Sequence, residues 1–203
     1  MAPLPTSALF GYATLLGSAG LVASTALLSI AWRSVALLIV SALVDLLVVC
    51  ALAYHIMRVG HLVFGTRGRG HHALTAWRLV DVLLSNILLH TAFLSLVWRL
   101  AAACGASTDA LFTHPFEGAW HALYETLLYT STLYTGGGIV DVAPEHEALR
   151  AATAIGGWWQ IVTLGIVLAA ATAALLEHTD GDAEKAASPP RLNVERAHEW
   201  LRL

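Results

Sequence analysis

Residues 129–144 read Y-T-S-T-L-Y-T-G-G-G-I-V-D-V-A-P, and the fold turns on where this stretch sits. A run of hydroxyl and aromatic residues leads into three consecutive glycines, Gly136, Gly137 and Gly138, and then into Asp141 and Pro144. Three glycines allow a backbone to turn its carbonyls toward a ligand, because no Cβ blocks the approach or the φ > 0 conformations. Apolar runs of membrane-spanning length flank the stretch on both sides. Non-helical backbone at membrane depth is tolerated only when it is buried in protein or lines a water-filled cavity. A pore-lining loop is therefore the expectation.

The flanking runs belong to a chain of 203 residues that is 57% hydrophobic and 12% charged, against roughly 25% charged in soluble domains. It reads as an all-α, multi-pass membrane protein. A net charge of -3 without a dense basic patch excludes nucleic acid as a partner. Cys50 and Cys104 form no C-x-x-C pair and read as free thiols in or beside helices.

Outward from the glycines, residues 9–32 carry no charge before the final Trp32, and Gly17, Gly20 and Ser24 supply small side chains for close helix packing. The run lacks a basic leader and is too long for a signal peptide. Residues 35–57 form a second span, interrupted by Asp45 and His55, and residues 79–98 a third. Between these two, residues 58–78 hold Arg58, Arg67, Arg69 and Arg78 without an acid, which places this loop in the cytoplasm. Its adjacent His71 and His72 read as part of a solvated basic loop. Trp32, Trp98 and Trp120 are expected near the outer interface, with Trp77 and Tyr54 near the inner one. Residues 99–150 are acidic and fall on the outer side. Within them, 116–134 is helical in pattern but too polar to span, which suits a re-entrant half-helix. Residues 150–176 form the fourth span. A polar linker starts at residue 178, and 191–203 reads as an amphipathic tail helix capped by Asn193, able to lie on the membrane or dock a partner. Both termini are expected in the cytoplasm, with the chain in the inner membrane.

The stretch resembles the pore loop of the potassium-channel-like family of small bacterial ion channels, whose pattern is T-T-V-G-Y-G-D-x-x-P. Laid on it without a gap, Thr135 takes the first threonine, Gly138 the first glycine, Asp141 the aspartate and Pro144 the proline. Gly136 replaces the second threonine, Ile139 the tyrosine and Val140 the second glycine. A one-residue shift moves Thr135 to the second threonine and needs an insertion before Asp141; both registers stand. The resemblance covers about a third of the chain. It implies a homotetramer in which 119–134 is the pore helix, 150–176 the inner helix, and Thr135, Gly136, Gly137, Gly138, Ile139 and Val140 the filter. A monovalent cation, K+ or Na+, would be the permeant ligand, and no cofactor is implied. Asp141 would brace the filter, with Tyr129 and Tyr134 as partners, and Glu145 and Glu147 would line the outer mouth. Gly156, Gly157 and Gly165 are candidate inner-helix hinges. The implied organisation is a peripheral helix pair and loop (1–74), a pore domain (75–177) and a cytoplasmic tail (178–203).

Other polar residues suggest further chemistry. Asp45 lies near mid-membrane, where an ionised carboxylate is costly; depth counted from the helix ends puts Asn86 and His90 at a similar level, and one of them is its expected partner. His55 and His90 invite a haem reading, but the same count separates them in depth. His121 and Glu125 share a helical face, two ligands where a zinc site needs more. The triple glycine lacks the spacing of a phosphate loop, and no Ser-His-Asp or Cys-His set stands out, so no enzyme is expected. Two alternatives to a channel follow: a non-conducting scaffold or regulatory subunit that keeps the channel fold, and a haem- or metal-binding four-helix oxidoreductase.

Overall fold

The structure, a computed structural model, describes residues 6–65, 76–108, 111–135 and 143–187. Five helices occupy them: α1 (Thr6–Ile30), α2 (Val35–Gly65), α3 (Ala76–Ala103), α4 (Ala119–Thr135) and α5 (Glu147–Ala187). The described residues contain no strand, only an isolated bridge between Phe112 and Pro144.

Four helices are long and apolar enough to cross a bilayer, over Tyr12–Ile30, Val35–Val59, Val80–Ala103 and Glu147–Ala169. Their outward faces carry large apolar side chains, among them Leu15, Leu47, Tyr54, Ile155, Trp158 and Leu168, as a lipid environment requires. Lipid tails supply no hydrophobic drive for helices to associate, so close packing and buried polar bonds must hold the bundle together. Small residues of α1 meet that need. A Cβ on Gly17 would touch Leu52, and one on Gly20 would collide with Val48. One turn on, the Ser24 hydroxyl reaches Asp45.

Those three contacts step forward along α1 and backward along α2, so the two helices are antiparallel. α3 lies against all four other helices. It runs parallel to α1, because Thr14 meets Ser85 and Thr25 meets Arg99. It runs antiparallel to α5, where Gly156 meets His90 and Trp159 meets Asn86. The N-terminal end of α1 and the C-terminal end of α5 therefore share the side of the α2–α3 connection.

The opposite side is closed by an aromatic cluster of Trp98, Leu111, Phe112, Phe116 and Leu149. Trp98 is fully buried between Trp32 and Phe116, with ring centroids 5.7 and 5.8 Å away. α3 runs five residues beyond Trp98 to Ala103, because Ala101, Ala102 and Ala103 favour helix. Arg99 is thereby drawn out of the expected acidic loop into the bundle. At the other end of the chain, α5 continues unbroken to Ala187 where a polar linker is expected; Ala183, Glu184 and Lys185 are good helix formers, and helix outside a membrane needs no apolar side chains. The tail expected at 191–203 lies outside the described residues.

Candidate functional site

The site forms where α4 ends. α4 has 17 residues, ~26 Å at 1.5 Å each, short of a bilayer core of roughly 30 Å. It begins beside the C-terminal end of α3, with Ala119 and Ala122 in the aromatic cluster, and runs antiparallel to α3. The Thr130 and Thr91 hydroxyls are 2.7 Å apart, and one turn further Tyr134 OH shares a 2.9 Å hydrogen bond with His90 Nδ1. His90 is midway along α3. Seven residues, 136–142, follow the last residue of α4. Beyond them, the Ala143 carbonyl accepts from the Thr113 amide at 3.0 Å, while the Glu145 amide donates to the Leu111 carbonyl. Ala143 is thus back at the end from which α4 departed.

The inner end of α4 is held by side chains from two spans. The last carbonyls of any helix lack partners within it; here Gln160 Nε2 of α5 donates to the Leu133 carbonyl at 3.0 Å. Asn86 ties α3 to α5 by accepting from Trp159 Nε1 at 3.1 Å and is itself steadied by donating to the Val82 carbonyl. Gly156 sits so close to His90 that a Cβ would run into Nε2. Below, Asn86, Tyr134 and Thr163 line an open groove of about 200 Å³ together with Val80, Leu83, Leu164 and Val167. Polar bonds, not dense packing, therefore set the position of this helix end.

Asp45 belongs elsewhere. Its carboxylate pairs with Arg99 Nη1 at 2.7 Å, both side chains fully buried, and not with Asn86 or His90. Ser24 donates to Asp45 at 2.7 Å, and Arg99 donates to Thr25 Oγ1 and the Ser41 carbonyl. Arg99 bridges the difference in level with its long side chain. The expected cluster of Asp45, Asn86 and His90 thus resolves into a charge pair near the aromatic end and a neutral site at mid-bundle. A third polar group, missed in the sequence, joins Asp81 to the Thr14 hydroxyl and, at 3.2 Å, to His55 Nε2. His55 and His90 accordingly turn to different partners.

Of the remaining candidates, Gly136, Gly137, Gly138, Ile139, Val140 and Asp141 lie outside the described residues, as do His71 and His72. Thr135 is the last residue of α4. Tyr129 packs against the aromatic cluster. Glu145 and Glu147 are exposed beside the start of α5, at the end of the bundle where α4 begins. His121 Nε2 lies 3.3 Å from Glu125, and its Nδ1 accepts from the Glu117 amide, so this pair secures the first turn of α4. Gly157 and Gly165 face open space, and α5 is continuous through all three candidate hinges.

No protein-family model, curated protein or solved structure matches this chain.

Proposed function

We propose that the chain is one subunit of a homotetrameric cation channel of the inner membrane, with α4 as a re-entrant pore helix and Thr135 with residues 136–140 as its filter-like loop. One observation carries this reading: α4 stops level with His90, and the chain is back beside Thr113 after only seven more residues. The seven include the triple glycine, whose backbone carries no Cβ to block the approach of an ion. Four such loops around an axis would offer rings of carbonyls in place of an ion's water shell. The C-terminal end of α4 would direct the negative end of its dipole at the central cavity of the tetramer and favour cations there. Asp141, Glu145 and Glu147, repeated four times, would concentrate cations at the mouth. By the positive-inside rule the arginine-rich loop would put the α2–α3 connection in the cytoplasm, and with it the N-terminal end of α1 and the C-terminal end of α5.

The substitutions Gly136, Ile139 and Val140 favour altered or weak K+ selectivity over strict selectivity, and they are also what a non-conducting scaffold would show. Cation flux separates the two. Purified protein in liposomes is expected to release a trapped K+ or Na+ gradient faster than protein-free vesicles, and Asp141→Asn to slow the release. Folded protein that leaves the gradient intact overturns the proposal.

A further inference from the structure

The geometry points to His90 as a positioning residue that sets the height and rotation of the inner end of α4 and couples that end to α5. The inference rests on reading α4 as a pore helix, since only then does the placement of its last turn bear on ion passage.

His90 has polar atoms on two edges of a flat ring, and each meets a different helix. Nδ1 holds Tyr134 OH at 2.9 Å. Nε2 is buried and lies against α5 at Gly156, with no hydrogen-bond partner among the described residues. Gly in a helix interior is less favourable than Ala. At position 156 the missing Cβ makes room for the imidazole, whereas at Gly157 next to it a Cβ would meet nothing. One turn along α5, Gln160 grips the Leu133 carbonyl. The last turn of α4 is thus held directly by α5 through Gln160 and indirectly through His90 and Tyr134. A shift of α5 toward α3 at residues 156–160 would push the His90 ring and with it Tyr134, and a shift away would strain the Gln160–Leu133 bond. The ring acts as a spacer with a hook, and an apolar residue of the same bulk would keep the spacing while losing the hook.

The test is backbone amide exchange of the full-length protein, which needs no ion flux. Tyr134→Phe removes only the hydroxyl, and His90→Leu removes the hook. Both are expected to speed exchange of the amides of residues 131–135 about fivefold, the effect of one lost hydrogen bond, with α1 and α2 unchanged. His90→Asn puts an amide near the position of Nδ1 and is expected to restore the native rate to within about twofold. Gly156→Ala, which displaces the ring, is expected to match His90→Leu. Unchanged exchange at 131–135 in Tyr134→Phe, a uniform rise throughout the protein, or no rescue by His90→Asn overturns the inference. Failure of wild-type flux would sink the channel reading while leaving this exchange pattern intact, so the two failures are distinguishable.

Discussion

At the scale of the residue, the most exacting feature is the Asp45–Arg99 pair. Two charges fully withdrawn from water are tolerated only when each satisfies the other and the remaining donors and acceptors are met. Ser24, Thr25 and the Ser41 carbonyl complete that set. Removing one partner strands the other. Asp45→Asn is expected to destabilise the protein by about 3–5 kcal/mol, seen as a drop in the thermal unfolding midpoint in detergent. Asp45→Leu with Arg99→Met, which removes both charges and keeps the volume, is expected to recover most of that loss. A double variant as unstable as the single one would show that the pair contributes more than mutual neutralisation. The carboxylate was legible as a buried anomaly from its place in an apolar run. Its partner was not, because the apolar run stops at Trp98 and depth counted from there leaves Arg99 in a loop. The available signal was the alanine triplet at 101–103, which prolongs α3.

At the scale of the element, α4 sets this fold apart from a plain four-helix bundle. Its polarity and length set it apart in the sequence, and the structure adds the direction: antiparallel to α3, with Ala143 back beside the end where α4 starts. What no periodicity could supply was its rotation. Thr130 facing Thr91 and Tyr134 facing His90 depend on which helix lies alongside, and sequence spacing does not encode neighbours. A re-entrant α4 makes a sidedness prediction. In a background lacking Cys50 and Cys104, single cysteines at His114 and at Ala143 are expected to react with a membrane-impermeant thiol reagent from the same side, and one at Arg58 from the other. Labelling of positions 114 and 143 from opposite sides would make α4 a fifth crossing.

At the scale of the whole molecule, the single chain leaves apolar surface uncovered. α5 packs mainly on α3, and Ile155, Trp158, Ile161 and Leu168 remain exposed along it, surface that lipid or neighbouring subunits must cover. The four spans were legible because hydropathy needs only run length. The bundle's polar interior was legible only in part, since Asp81, Arg99 and Gln160 acquire meaning from partners 26 to 74 residues away. A single loop cannot ring an ion, so the account stands on several copies closing around an axis and passing cations. Currents across a planar bilayer holding the purified protein under a tenfold KCl gradient test that claim most directly. The account predicts discrete unitary steps whose reversal potential lies toward the potassium equilibrium value; a silent bilayer containing folded protein, or reversal toward the chloride value, would contradict it.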